Sequence, residues 1–180
     1  MGKLLKETRR QLQTRELVFR TYQATERVYL LSTQNPFTPQ ASLGLTTELN
    51  IIHQDCSVRV LTCQLSRHLQ PLLDTEARLK IKFEPTEIGF SHPINFAMRE
   101  GIKVYAVDSP EYLYAQQILI ENIKYDKLPK IPLKDFLQIN TERAKYTSSR
   151  IENIAQSYFP LVHLCSDGQC LKILENLTDA

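Results

Sequence analysis

Two apolar runs separated by four turn-forming residues are the feature of this sequence that most restricts its fold. The runs are Ile102–Val107 and Tyr112–Glu121, and Asp108–Glu111 lies between them. Short runs rich in β-branched and aromatic residues favour strands. Proline presets one backbone dihedral in a turn, and Asp and Ser hydrogen-bond to their own backbone there. The pattern therefore predicts an antiparallel hairpin over Lys103–Glu121.

Three further segments have the pattern of strands. Leu161–Cys165 and Cys170–Leu174 predict a second hairpin around the turn Ser166–Gln169. Arg78–Phe83 alternates basic and apolar residues, which is the period of a half-buried strand. The short apolar run Leu49–His53 predicts another strand.

Other segments of the sequence have the pattern of helices. Met1–Ser32 is rich in Arg, Gln, Glu and Leu and predicts a helical N-terminal extension. Thr33–Ser42 contains two prolines and predicts a loop, whereas Pro129–Asn140 predicts a short amphipathic helix. A further helix, capped by Asp55 or Ser57, is predicted from apolar residues that recur every three or four positions. These residues are Val58, Leu61, Leu65, Leu69 and Leu72.

Length and composition limit the class of protein. The 180 residues fit one domain, and a hydrophobic content of 42% is enough for one core. The elements predict a single α+β domain over residues 1–180, with helices around a mostly antiparallel sheet. The 22 basic and 20 acidic residues nearly balance, so no attraction to nucleic acid is predicted.

The expected compartment is the cytoplasm. No apolar run approaches the ~18–20 residues that span a bilayer, so no membrane partner is predicted. The first ten residues are polar and charged and lack the apolar stretch of a signal peptide. The oligomeric state is left open.

The even number of cysteines allows disulfides, but a chain of this size without an export signal favours free thiols. The cysteines also offer two chemical hypotheses. Cys165 and Cys170 flank the predicted turn, but the other two do not complete a zinc-type ligand set, so no metal is predicted. Cys56, at a predicted helix start near His53 and His68, is either a plain buried cysteine or a thiolate nucleophile with a lowered pKa. The four cysteines are Cys56, Cys63, Cys165 and Cys170.

Four segments, taken in order, resemble the chorismate pyruvate-lyase family. The order and spacing of the segments, rather than one motif, carry this resemblance, which covers Leu49 to Glu175. The segments are Ile51–Val58, Val104–Ile120, Pro132–Leu137 and Gly168–Glu175.

The resemblance implies a six-stranded, mostly antiparallel sheet and an enzyme that cleaves chorismate, or a related small carboxylate, without cofactor or metal. The family's lyase releases pyruvate and leaves 4-hydroxybenzoate in a buried site. Glu175 matches the family's active-site glutamate. The family's carboxylate-binding arginine corresponds to Ile102 here, which leaves Arg99 and Lys103 as the cations for binding a substrate carboxylate.

Two alternatives to the lyase remain open. The first is a non-catalytic domain of the same fold that binds a small carboxylate, which the isoleucine at position 102 favours. The second is a protein-interaction or assembly factor that uses Met1–Ser32 as a docking helix.

Overall fold

An antiparallel meander opens the chain and a set of parallel strands follows it. The computed structural model describes residues 2–12, 15–36, 38–79, 90–115 and 133–178. The strands are β1 (Lys3–Leu12), β2 (Arg15–Gln23), β3 (Val28–Thr33), β4 (Val60–Ser66), β5 (Lys103–Asp108) and β6 (Leu161–Ser166). The helices are α1 (Pro39–Cys56), α2 (Gln70–Leu79), α3 (Ser91–Arg99), α4 (110–115), α5 (Leu133–Ala155) and α6 (Asp167–Thr178), with a 3₁₀ turn at Arg67–Leu69 before α2.

The six strands form one mixed sheet in the order β1-β2-β3-β6-β4-β5. The β1–β2 and β2–β3 pairs are antiparallel, whereas β3–β6, β6–β4 and β4–β5 are parallel. An α+β fold with a sheet flanked by helices is therefore confirmed. The sheet is antiparallel only in its first half, because β4, β5 and β6 are joined through helices and not through hairpins.

Helices cover both faces of the sheet. On the first face, α1, α2 and α3 pack over buried side chains such as Phe19, Leu61 and Leu164. On the second face, α5 and α6 pack over side chains such as Leu30 and Val60. Successive residues of a strand point to opposite faces, so two apolar layers form on either side of one sheet.

Helix α1 contains the segment Leu49–His53, so the prediction of a strand there is wrong. The Ala41 N–H donates to Thr38 Oγ1 over 3.3 Å at the start of the helix. Ser57 ends it with a left-handed φ of 54° and donates its N–H to the His53 carbonyl. Ser57 is thus a C-terminal cap and not the predicted N-terminal cap. Because Pro39 is the first residue of α1, the predicted loop also ends earlier than Ser42.

Gly44 sets how closely α1 approaches the sheet. A Cβ atom at this position would overlap the ring of Phe19, which is 1% exposed. The missing side chain therefore lets the helix backbone lie directly on the aromatic ring.

The N-terminal segment is a set of strands, so the prediction of a helix over Met1–Ser32 is wrong. Nearly every residue of β1 is exposed. An edge strand in solvent on both faces has no apolar alternation, and its polar composition resembled that of a solvated helix. In β2, by contrast, Leu17 and Phe19 are buried on the first face of the sheet.

The prediction of a helix behind Asp55 and Ser57 is also wrong, because Val60–Ser66 is strand β4. Six of its seven residues are buried. A parallel strand that is covered on both faces is apolar almost throughout. Of the residues whose spacing predicted the helix, Leu61 and Leu65 belong to β4, whereas Leu69 and Leu72 belong to the 3₁₀ turn and to α2.

The predicted hairpin over Lys103–Glu121 is confirmed only in its first strand, β5. Ser109 and Pro110 begin helix α4, where the Tyr112 N–H donates to Ser109 Oγ over 3.3 Å. A serine cap followed by proline is a common helix start. Residues 112–115 are helical, and residues 116–121 lie outside the described residues.

The second predicted hairpin likewise has a confirmed first strand, β6, and a helix in place of its partner. Cys170–Leu174 belongs to α6, which begins directly after β6.

Of the predicted strand Arg78–Phe83, residues 78–79 belong to α2 and the others lie outside the described residues. The predicted helix Pro129–Asn140 is confirmed over 133–140 as the start of α5, and residues 129–132 lie outside the described residues.

Candidate functional site

The structure separates the residues that the resemblance assigned to a lyase site. Glu175 is exposed on α6, which packs on the second face of the sheet. Arg99 is exposed at the end of α3, on the first face, where its guanidinium carbon lies 5.6 Å from the centre of the Phe96 ring. The sheet lies between these two helices, so Glu175 and Arg99 do not come together.

Lys103 lies at a pocket of about 260 Å³ between α2, α3 and the start of β5. Its Nζ is 3.6 Å from Asp74 Oδ1, which also lines this pocket. Ile102, at the position of the family's arginine, is 4% exposed and belongs to the core of the first face. A carboxylate ligand here would have to compete with Asp74 for the ammonium group of Lys103.

The cysteine hypotheses also change with the fold. Cys56 is the last residue of α1, where the helix dipole disfavours a thiolate. Burial, together with the charge of Asp55, raises the pKa of the Cys56 thiol. The nucleophile hypothesis assumed that Cys56 begins a helix. That prediction is wrong, because Cys56 ends one.

Cys165 and Cys170 lie side by side in the core of the second face and are both free thiols. Burial and the neighbouring Cys170 raise the pKa of the Cys165 thiol. Among the residues that the structure describes, no group of three His, Cys, Asp or Glu side chains lies close enough to hold a metal ion.

A groove between β1 and α1, which we call the β1–α1 groove, combines apolar walls with buried polar groups. It has a volume of about 230 Å³. Strands β1, β2 and β3 form its floor, and the second half of α1 forms one wall. The apolar part of its lining consists of Leu5, Ile51 and Ile52. Leu5 and Ile51 are 45% and 46% exposed, so this apolar surface is open to solvent.

The charged groups of the groove do not balance. Glu48 of α1 is 2% exposed, and its Oε2 lies 3.0 Å from the Nζ atom of Lys6. Asp55, about two helical turns further along α1, is exposed and lines the same groove. The described lining of the groove therefore holds two carboxylates and one ammonium group. A buried carboxylate is unfavourable unless cations and hydrogen bonds compensate it, so this groove favours an additional cation.

Two neutral polar groups complete the groove. Burial, with smaller contributions from Cys56 and Asp55, raises the pKa of the Tyr29 phenol. The Cys56 thiol donates to the Ile52 carbonyl over 3.3 Å. With raised pKa values, both groups stay protonated at neutral pH and act as hydrogen-bonding groups. Thr21, 6% exposed, adds a hydroxyl.

The carboxyl ends of the parallel strands carry a separate polar cluster. Asp108, at the end of β5, is 1% exposed and accepts from Arg143 Nε over 2.9 and 3.1 Å. Next to it, Ser166 donates its N–H to Gln64 Oε1 over 2.8 Å and joins β6 to β4. Ligands often bind at this edge of open sheets. Here the opposite charges pair with each other, and the cluster holds α5 against the sheet.

Sequence reasoning missed both Lys6 and Glu48. Forty-one residues separate them in the sequence, and only the pairing of β1 beside β2 places them together. No local pattern could have identified this pair.

Comparisons with known proteins do not assign this chain to a family. Neither a scan against family models nor searches of curated proteins and solved structures found a match. In the part of the chain that the structure describes, no helix is both long and apolar enough to cross a membrane.

Proposed function

We propose that this domain is a binding module for a small amphipathic amine, held in the β1–α1 groove. The observation that carries the proposal is the buried Glu48 carboxylate, which pairs with Lys6 beside a solvent-open apolar surface that Asp55 also lines. Pockets that combine apolar walls with a few convergent polar groups are the usual form of a small-molecule site.

The charge of the groove selects the polar end of the ligand. A carboxylate would add a third negative charge beside Glu48 and Asp55. An ammonium group that contacts Glu48 would reduce this imbalance. Charge-assisted hydrogen bonds of this kind are roughly twice as strong as neutral ones.

The apolar walls select the rest of the ligand. Leu5 and Ile51 expose nearly half of their surface, and covering apolar surface contributes about 25 cal/mol per Å². The volume of about 230 Å³ equals the liquid volume of ~8 water molecules. The groove therefore fits a short aliphatic or single-ring amine.

A thermal-shift series with hexylamine, hexanol and hexanoate tests this proposal. These probes share a chain and differ in charge. Because a ligand that binds only the folded state stabilises it by ~2.7 kcal/mol at a hundredfold excess over Kd, saturating hexylamine should raise the Tm by about 5–10 °C. Hexanoate should give no shift. Equal shifts with all three probes would show apolar binding without charge selection and would contradict the proposal.

Two variants locate the binding. Glu48→Gln should abolish the hexylamine shift, because it removes the buried charge and keeps the side-chain volume. Glu26→Gln is the matched control, since Glu26 is exposed in the turn between β2 and β3. A hexylamine shift that survives Glu48→Gln would place the amine elsewhere.

Cleavage of chorismate remains a separate prediction from the resemblance. It requires Glu175 and a cation at one site, whereas Arg99 lies on the other face of the sheet from Glu175. Incubation with chorismate and detection of 4-hydroxybenzoate tests it directly. If turnover occurs, Glu175→Gln should abolish it; because Glu175 is exposed, the same variant should leave the Tm unchanged.

A further inference from the structure

Strand β1 presents one long, unpaired edge. It is the longest strand, with ten residues, and it ends the sheet with β2 as its one neighbour among the described strands. In an antiparallel pair, the backbone N–H and C=O groups of alternate residues point away from the partner. About half of β1 therefore offers backbone hydrogen-bonding groups to an additional strand.

The opposite edge of the sheet is covered. Gln70, at the start of α2, donates from Nε2 to the Val104 carbonyl over 3.0 Å and accepts from the Ala106 N–H over 2.7 Å. Its side-chain amide occupies the position that the backbone of a neighbouring strand would take on β5. The two edges of the sheet thus differ: a side chain occupies the outer edge of β5, while the outer edge of β1 has no such cover within the described residues.

The charges on β1 indicate what kind of strand could pair with it. Its basic residues, Lys3, Lys6, Arg9 and Arg10, outnumber its one acid, Glu7. A second copy of β1 would bring like charges into opposition, which destabilises cross-strand pairs. Lysines on an edge strand oppose such self-pairing. Lys6 pairs with Glu48, and Arg9 pairs with Glu7 and Glu16. An acidic strand would therefore meet Lys3 and Arg10 as the opposite charges along the same edge.

We propose that the outer edge of β1 binds an extended acidic segment of a partner protein, which adds to the sheet as a seventh strand. Backbone hydrogen bonds would supply the affinity, and the basic side chains would select acidic over basic partners. This proposal does not rest on the amine-binding groove, because it uses the outer backbone edge of β1 and not the side chains that line the groove.

Fluorescence anisotropy with a labelled peptide that alternates Glu and Val tests the proposal. A peptide with Lys in place of Glu is the charge control and should not bind. Two N-methylated forms of the acidic peptide, each methylated on one alternate set of amides, then distinguish strand addition from simple charge attraction. One form should bind at least about tenfold more weakly, because it loses the donors that face β1, and the other should bind like the parent.

Charge reversal in the protein gives an independent measurement. Lys3→Glu should weaken binding of the acidic peptide severalfold, whereas Lys145→Glu, at an exposed position on α5, should leave it unchanged. Equal binding of both N-methylated peptides, or absence of binding by the parent peptide, would overturn the proposal. A dimer in sedimentation that dissociates in the Lys3→Glu variant would instead identify a second copy of the chain as the occupant and would also overturn it.

Discussion

Acidification should destabilise this protein through one histidine, His163 on β6. The side chain is fully buried, and its Nδ1 atom lies 2.9 Å from Thr62 Oγ1. Its Nε2 atom is buried and has no hydrogen-bond partner among the described residues. Burial lowers the pKa of His163 to about 3, although a hydrogen bond with the Thr62 backbone acts in the opposite direction.

The sign and size of the effect follow from this lowered pKa. An unfolded histidine has a pKa near 6.5, so the unfolded chain binds a proton at a pH where the folded chain does not. Stability is therefore fully present above pH ~6.5 and is lost as the pH falls towards ~3. Linkage with these two pKa values predicts a loss of about 2 kcal/mol between pH ~7 and ~5.

Urea unfolding of the wild type and of His163→Gln at these two pH values measures this loss. Other groups titrate in the same range, so the informative quantity is the difference between the two proteins. The variant should be about 2 kcal/mol less sensitive to acidification, because glutamine has no proton to bind. His163→Leu should show the same reduced sensitivity, whatever its stability at neutral pH. If all three proteins lost the same free energy of unfolding within ~0.5 kcal/mol, the folded protein would bind the His163 proton as readily as the unfolded chain does. That result would refute the reasoning.

Two further predictions concern packing and buried charge. Gly44→Ala should destabilise the protein by about 1–3 kcal/mol in urea unfolding, because the new Cβ overlaps Phe19; in Gly168→Ala, the control, the added Cβ has no heavy atom within 4 Å, so a gain of ~0.5–1 kcal/mol is expected. A loss of equal size in both would contradict the packing argument. Arg143→Met should cost about 3–5 kcal/mol in the same assay, because it leaves the Asp108 carboxylate buried without its guanidinium partner. Adding Asp108→Leu to that variant should recover most of the loss, and a double variant no more stable than the single one would refute this explanation.

The parts of the fold that the sequence predicted are those marked by local chemistry. Strands β5 and β6 are short apolar runs bounded by turn-forming residues, and both were predicted. The helices that follow these strands, α4 and α6, were not predicted, because Ser109 and Asp167 suit a tight turn and a helix start equally well. The choice depends on which partner buries the next apolar residues, and that is decided by tertiary packing.

Topology explains the remaining differences. β1 is solvated and β4 is buried on both faces, so neither strand shows the alternation that identifies a half-buried strand. The groove was unpredictable for a similar reason. Lys6 and Glu48 lie on different elements, and their contact exists only once β1 has paired with β2 and α1 has packed on the sheet.

The position of β6 has a consequence for the order in which the protein can assemble during synthesis. β6 is the last of the six strands in the sequence, yet it lies between β3 and β4. A nascent chain that stops before Leu161 can form the β1–β2–β3 meander and the β4–β5 pair, but none of its described strands joins the two. Ribosomes add about 5–20 residues per second, so both inner edges stay open for seconds. The sheet closes in one late step, and until then β3 and β4 are the surfaces that a chaperone would have to shield.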